Sequence, residues 1–270
     1  MQPLSYEVEA YNTAKQSENR IHDDTVARRF GFTGGLVPGV DVFAYMTHPP
    51  VARWGRAWLE HGTIECRFGK PVYDGERATI AATPDEPGLA LLVQSQGNTC
   101  ATGAAALPPR AALAERAALA ERAAWPIPPA PPEIRPPASP ETLAEGLWLA
   151  IQPLHVTPEF AAQYYSDVRE TDPLYPSEGL IHPGLILRTC NWALTHNVAL
   201  GPWIHVGSTV RNLAAGRIGE TLTVRARVAR NYAHKGHLFV ELDALVLADA
   251  RPLARIAHTA IYRPRQVLEA

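Results

Sequence analysis

The sequence predicts an α+β protein made of two similar halves, in each of which an antiparallel sheet wraps around a long central helix. Three observations lead to this prediction: similar motifs in the same order in both halves, a continuous apolar helical segment, and segments after it in which apolar and polar residues alternate as in strands. The similarity between the halves is clearest in the spacing of the glycines, because Gly39 and Gly75 are 36 positions apart and Gly184 and Gly219 are 35 positions apart. Such internal similarity indicates that one structural unit occurs twice.

A central helix is predicted in each half. The segment from Gly184 to about Leu200 is apolar nearly all round, which is typical of a helix enclosed by other structure. In the first half, Val40 to Thr47 can begin the matching helix. Pro49 and Pro50 are expected to break or kink it, because proline has no amide hydrogen to donate. We therefore expect His48 to end a helix.

The strands of the second half are predicted by a period of two. Apolar residues at positions 222, 224, 226 and 228 alternate with polar ones, and the pattern continues through residues 237–247 and 253–263. This indicates an antiparallel meander. His234 and His237 have a spacing that could suit a metal ion, but they flank a Lys-Gly pair that predicts a hairpin turn.

Two domains are expected from the length of 270 residues, at roughly 150 residues per domain. The proline-dense run at 126–140 can form neither a helix nor a central strand and indicates a linker. Just before it, AALAER occurs twice, at 111–116 and 117–122, and predicts a short exposed helix. The boundaries are therefore residues 1–110, a linker at 111–140, and residues 141–270.

Composition and charge exclude several classes of function. The formal net charge is −2, so no broad positive field predicts binding to nucleic acid. No apolar stretch reaches the roughly 20 residues that span a bilayer, and the first residues do not resemble a signal peptide, so we expect a cytoplasmic protein without a membrane partner. The three cysteines form no C-x-x-C pair, and no glycine-rich nucleotide motif occurs, so neither a metal nor a cofactor is expected.

Residues 17–22 carry the most informative motif. They read Ser-Glu-Asn-Arg-Ile-His, and the run Phe-Gly-Phe-Thr-Gly-Gly follows at 30–35. The pattern resembles the MaoC-like, or R-specific enoyl-CoA hydratase, family of hotdog proteins, whose signature is Asp, any residue, Asn, Pro, an aliphatic residue and His. Asn19, Ile21 and His22 match it, whereas Ser17 stands where the family has the acid. The resemblance implies a fused double hotdog outside the linker.

The second half carries a different remnant of the signature at residues 170–175. Glu170 keeps the acid, and proline and an aliphatic residue follow, but Tyr175 stands in place of the histidine. Glu170 and Tyr175 are thus a second candidate acid–base pair, although a tyrosine with an ordinary pKa near 10 is a poor proton donor at neutral pH. The alternative is that this half only shapes the pocket.

The resemblance implies hydration of 2-enoyl thioesters, or dehydration of 3-hydroxyacyl thioesters, carried by coenzyme A or acyl carrier protein. His22, with Asn19 beside it, would exchange protons with the substrate. Backbone N–H groups near the starts of the central helices would polarise the thioester oxygen. The residues that we expect around the substrate are Ser17, Gly39, Val40, Asp172, His182 and Gly184.

Several alternatives stay open at this point. If His22 is catalytic, Glu18, Asp23 or Asp24 would have to replace the missing acid, although an aspartate here more often caps the helix that follows. A non-catalytic acyl-thioester binding or scaffold protein is the second hypothesis. A hotdog thioesterase with Asp41 as base or nucleophile is the third. Fused copies can satisfy within one chain what single copies satisfy as dimers, so either a monomer or a homodimer of the double unit is expected.

Overall fold

The computed structural model describes residues 3–109 and 125–265, so the helix predicted for the AALAER repeat lies outside the described residues. In the first half, a 3₁₀ turn at Arg20–His22 and three helices accompany five strands. These are β1 (Leu4–Glu9), α1 (Asp24–Arg29), α2 (Gly39–Trp54), α3 (Arg56–His61), β2 (Thr63–Phe68), β3 (Arg77–Asp85), β4 (Gly88–Ser95) and β5 (Asn98–Ala106).

The second half follows a similar order, with two very short strands at its start and longer strands after its central helix. Its elements are β6 (Trp148–Leu149), β7 (Leu154–His155), α4 (Pro158–Asp167), α5 (Leu174–Glu178), α6 (Pro183–Thr195), β8 (Ile204–Asn212), β9 (Thr221–His234), β10 (His237–Ala248) and β11 (Arg251–Arg263). The predicted meander is confirmed by β9, β10 and β11, which pair in antiparallel order. Lys235 and Gly236 have positive φ and form the hairpin turn expected between His234 and His237.

All the strands belong to one continuous antiparallel sheet. The first-half strands follow the order β1-β3-β4-β5-β2, and the second-half strands follow β8-β11-β10-β9-β6, with β7 also on β9. The two sets join where β2 pairs with β8, with Thr63 opposite Arg211 and Arg67 opposite Gly207. Each half therefore wraps its own helix, as predicted, and the two halves share a sheet.

The two central helices, α2 and α6, are buried and pack against each other. Helix α6 begins as predicted but ends at Thr195, five residues before the expected end. The expected break at Pro49 and Pro50 was wrong, because α2 continues through both buried prolines and ends only before Gly55, whose φ is +57°. Burial on all sides holds the helix where local propensity would end it. His48 consequently lies inside the helix.

The proline-dense segment follows the surface of the second half without regular structure for most of its length. Pro137 forms an isolated parallel bridge to Ala199, supported by the hydrogen bond from the Ala138 amide to the Ala199 carbonyl at 2.9 Å. The linker at 111–140 and the residue boundaries of the two domains stay predictions. Among the described residues, no helix has the length and apolar character needed to cross a membrane.

Candidate active site

His22 is held in one orientation by the loop that precedes α2. Its Nδ1 lies 2.7 Å from the carbonyl oxygen of Leu36, to which it donates, and its Nε2 lies 3.3 Å from Nδ2 of Asn19. The hydrogen on Nδ1 leaves the lone pair on Nε2, where it faces the amide donor. Burial lowers the pKa of His22 from its ordinary value of 6.5, against the opposing effects of the Leu36 carbonyl and Asp41. His22 is therefore a neutral imidazole near pH 7, with Nε2 able to accept a proton.

Asn19 is buried and its amide is fixed by the second half of the chain. Its Nδ2 donates to the carbonyl oxygen of Trp203 at 3.0 Å, and its Oδ1 accepts from the Trp203 amide at 3.3 Å. This pair of bonds determines which side of the amide is the donor toward His22. The predicted first-half site is thus assembled only when the segment leading into β8 is in place.

The start of α2 leaves two backbone donors without partners. Pro38 is the N-cap residue and offers no side-chain cap, and none of the hydrogen bonds among the described residues uses the N–H of Gly39 or Val40. These N–H groups lie at the positive end of the helix dipole, which favours negative charge nearby. They provide the donors that a thioester oxygen would require.

Two adjoining cavities meet at His22. A mainly apolar cavity of about 280 Å³ and a more polar cavity of about 360 Å³ both include Asn19, His22 and Trp203 in their walls. Gly39 lines the apolar cavity, whereas Ser17 and Val40 line the polar one. The apolar wall includes Phe32, Val42, Phe68, Val72, Val206 and Ile261. The structure thus brings all the first-half site residues predicted from sequence around one imidazole.

Ser17 does not replace the missing acid. Its hydroxyl donates to the carbonyl oxygen of Asn19 at 3.2 Å, so it supports the loop that carries the motif. Glu18 forms a two-pronged ion pair with Arg135 of the proline-dense segment, at 2.8 and 3.0 Å, and the bond from Arg135 holds the pKa of Glu18 below its usual value. Glu18 therefore connects the linker to the first half.

The other two candidate acids are engaged by backbone amides. Asp23 accepts from the N–H groups of Thr25 and Val26, both at 3.0 Å, which confirms the predicted N-cap of α1. Asp24 accepts from the amide of Gly35 at 2.7 Å. Neither carboxylate hydrogen-bonds to His22 among the described contacts, so both stabilise the loop around the imidazole.

Asp41 is completely buried in the first turn of α2 and is paired with an arginine from the other half. Arg188 of α6 forms an ion pair with it, and the Thr13 hydroxyl donates to its second oxygen at 2.6 Å. This pair was not predicted from the sequence. The available signal was Arg188 itself, since it is the single charged residue in the apolar segment that predicts α6.

In the second half, the Glu170 side chain is almost completely buried in a network of polar contacts. Glu170 accepts from His48 at 2.8 Å and from His182 at 3.3 Å, and the amides of Thr171 and Asp172 donate to it as well. Burial would raise the pKa of Glu170, but the bonds from His182 and His48 hold it well below the usual value. His48 was expected only to end a helix, and it is instead a partner in this network.

The start of α6 is capped, unlike the start of α2. His182 is the N-cap residue, and its Nδ1 accepts from the Gly184 amide at 3.0 Å, so that amide already has a partner. Tyr175 is fully buried, with its ring 4.7 Å from that of His182, and burial raises its pKa well above the ordinary value. Asp172 accepts from the Leu174 amide at 2.9 Å.

The second-half candidates therefore lie apart from the first-half site. None of the five second-half residues lines either cavity beside His22. Their assignment to catalysis or substrate binding stays a prediction. These residues are Glu170, Asp172, Tyr175, His182 and Gly184.

A further group at the apolar cavity was missed in the sequence. His205, Ser208 and His258 form a buried chain in which the Ser208 hydroxyl lies 2.8 Å from Nε2 of His205 and 3.0 Å from Nδ1 of His258. The residues come from β8 and β11, so only strand pairing brings them together. Within residues 3–109 and 125–265, no group of three or more potential metal ligands is found.

Comparison with solved structures identifies the fold. A MaoC domain dehydratase from Chloroflexus aurantiacus superposes with a TM-score of 0.64 at 9% identity, covering 97% of this chain and 95% of that one. A conserved Mycobacterium tuberculosis protein with a double hotdog fold gives 0.62 at 16% identity, covering 96% and 95%. A MaoC-like dehydratase gives 0.57 at 12% identity, covering 96% and 98%.

The chain thus has the double hotdog fold that the sequence resemblance implied, and its structural neighbours include MaoC-like dehydratases. At these identities the likeness establishes the fold and leaves the chemistry to the site. No protein-family model matches the sequence, and no curated protein sequence matches it either.

Proposed function

We propose that this protein is a MaoC-like hydratase or dehydratase of 2-enoyl or 3-hydroxyacyl thioesters, with a single active site built around His22. The observation that carries the proposal is a neutral imidazole next to unpartnered helix N–H groups where the apolar and polar cavities adjoin. The first group can move a proton, and the second can stabilise a thioester enolate. The carrier would be coenzyme A or acyl carrier protein.

In the hydration direction, His22 acts as the base. Its Nε2 takes a proton from water while the oxygen bonds to C3 of the enoyl group, and the electron pair moves onto the thioester oxygen. The N–H groups of Gly39 and Val40 stabilise that oxygen, with the helix dipole adding to the effect. The imidazolium then returns the proton to C2, which regenerates neutral His22 and leaves the 3-hydroxyacyl thioester.

The missing acid changes the role of His22. With Ser17 in place of a carboxylate, no second acid–base group among the described residues bonds to the imidazole, so one residue would perform both proton transfers. Asn19 supports this by donating to Nε2 in the resting state and would also orient the attacking water. We expect a slower enzyme than one with a carboxylate and imidazole pair, since each such group contributes about 10²–10⁴ to the rate.

The two cavities would hold different parts of the substrate. The apolar cavity of about 280 Å³ would hold the acyl group, and its volume lies just below the roughly 300–1,000 Å³ of small-molecule sites, which favours a short chain. The polar cavity, which includes Arg135, Arg188 and His196, would admit the carrier arm. With this assignment goes the proposal that the protein is soluble and cytoplasmic and acts as a monomer or as a homodimer of the double unit.

A non-catalytic acyl-thioester binding protein is the second candidate, and the observation in its favour is Ser17. A chain that had lost the acid could keep the cavity and the helix donors while losing turnover. A thioesterase that uses Asp41 has less support, because Thr13 and Arg188 already engage both oxygens of that carboxylate.

The test is hydration of crotonyl-CoA, followed as loss of the enoyl-thioester absorbance. We expect turnover by the intact protein and a decrease of about 10²–10⁴ in kcat for His22→Ala. His155→Ala is the matched control, since it removes an exposed histidine from β7 and should leave the rate unchanged. Thioester binding without turnover by the intact protein would support the binding function instead. Equal rates for His22→Ala and the control would remove His22 from the mechanism.

A further inference from the structure

The proposed mechanism leaves one histidine of the cavity without a role. His205, near the start of β8, is 7% exposed and lines the apolar cavity, and its Nδ1 has no partner among the described residues. This nitrogen lies only 3.0 Å from the point that a Cβ on Gly39 would occupy. The imidazole reaches the start of α2 because Gly39 has no side chain.

The opposite edge of the His205 ring is held by Ser208. The single hydroxyl hydrogen of Ser208 can be donated to His205 or to His258, and the hydroxyl oxygen then accepts from the other imidazole. If it is donated to His258, the Nε2–H of His258 is left as a buried donor without a partner. If it is donated to His205, the remaining donor is Nδ1–H of His205, which is also buried and without a partner among the described residues but belongs to a residue of the cavity wall and faces the start of α2. Only in the second arrangement can a ligand in the cavity accept from the remaining donor, so the cost of an unsatisfied buried donor favours this arrangement when a ligand is bound.

The charge state of His205 suits a donor rather than a base. Burial, together with the neighbouring His258, holds the pKa of His205 well below its ordinary value. The positive end of α2 also disfavours a second positive charge at this position. The ring therefore stays neutral across the physiological range, and its N–H is retained.

We propose that Nδ1–H of His205 is a third donor to the thioester carbonyl oxygen, beside the N–H groups of Gly39 and Val40. This inference rests on the proposed function, since it assigns an additional contact within the same site. Ser208 is then a positioning residue that selects the tautomer of His205, and His258 positions Ser208. The donor matters most in the transition state, when negative charge develops on the oxygen.

Two substitutions of His205 distinguish the contributions of its two ring nitrogens. The amide nitrogen of His205→Asn lies near the place of Nδ1, whereas that of His205→Gln lies near the place of Nε2. We expect His205→Gln to lower kcat for crotonyl-CoA by about 10²-fold with little change in KM, which is typical for loss of one such donor. His205→Asn should retain most of the rate. Equal rates for the two variants would overturn the proposal.

A spectroscopic measurement tests the contact between His205 and the thioester oxygen independently of turnover. The infrared carbonyl band of bound butyryl-CoA, which lacks the double bond and cannot be hydrated, should shift to lower frequency in the wild type and in His22→Ala. The shift should be smaller in His205→Gln, and an identical band in His205→Gln and wild type would overturn the proposal. A band that shifts less in His205→Gln than in the wild type, without any crotonyl-CoA hydration, would reject the enzyme while supporting the His205 contact.

The wild-type protein offers a test that needs no variant. The ¹⁵N chemical shifts of the His205 ring should show a protonated Nδ1 and an unprotonated Nε2. The opposite tautomer, both free and with butyryl-CoA bound, would contradict the proposed donor directly.

Discussion

Replacing Arg188 by methionine should destabilise the protein strongly, because it leaves a buried carboxylate without its counter-charge. The Asp41 side chain is 0% exposed, and among the described residues the Thr13 hydroxyl is its one remaining hydrogen-bond partner once the guanidinium is removed. Breaking a buried pair in this way costs about 3–5 kcal/mol in the free energy of unfolding. At about 2–4 °C per kcal/mol for a chain of this size, Tm should fall by about 6–20 °C.

The assay is thermal unfolding followed by circular dichroism, with two comparison variants. Arg77→Met removes an arginine from an exposed pair with Glu7 at 3.5 Å and should cost at most about 1 kcal/mol. The double variant Asp41→Asn with Arg188→Met removes both charges and should recover at least about 2 kcal/mol relative to Arg188→Met alone. A Tm for Arg188→Met equal to that of Arg77→Met would refute the assignment of this pair as a buried connection between the halves.

Three further predictions concern the site. The fall of kcat/KM for crotonyl-CoA toward acid pH should begin below pH 6.5, and the profile should be flat from there to pH 8. The reason is that the lowered pKa of His22 keeps this base neutral at higher pH. A fall that begins above pH 7 would contradict this assignment. Tyr175→Phe should leave kcat within about twofold, since Tyr175 lines neither cavity and its buried hydroxyl makes no hydrogen bond of ordinary geometry with the described residues, although Thr47 lies near it. A loss above about 10²-fold would return Tyr175 to the mechanism. Val72→Phe should fill part of the apolar cavity and lower kcat/KM for a hexenoyl thioester more than for crotonyl-CoA, whereas an equal effect on both would place the acyl chain elsewhere.

The architecture could be predicted from the sequence where short-range patterns determine it. The alternation after Leu222 gave the meander, the apolar segment after Gly184 gave the central helix, and Asp23 was recognisable as a cap. Pro49 and Pro50 misled the prediction, because their local cost is outweighed by burial of α2 inside the sheet.

The candidate site was predictable only in part, because much of it is made by contacts between distant residues. His22 and Asn19 could be identified since they lie in one short motif. Arg188 and Asp41 are 147 positions apart, and no local pattern indicates which acid an isolated arginine will meet. His205 was missed for the same reason, since its importance depends on the closeness of β8 to Gly39.

The two halves differ in whether an amide at the start of the central helix has a partner, and this difference also depends on contacts that a sequence pattern does not specify. Gly39 and Gly184 occupy matching positions in the repeat, and sequence alone treats their amides alike. Only the structure distinguishes them, because His182 turns its Nδ1 back onto the Gly184 amide while Pro38 has no group to offer. A side-chain cap of this kind depends on a rotamer, which a residue pattern does not specify.

A structure of the protein with butyryl-CoA bound would test the central claim most directly. The acyl chain should occupy the apolar cavity beside His22, with the thioester oxygen within hydrogen-bond distance of the Gly39 and Val40 amides. An acyl chain located at Gly184 and His182, or outside the cavity altogether, would contradict the account.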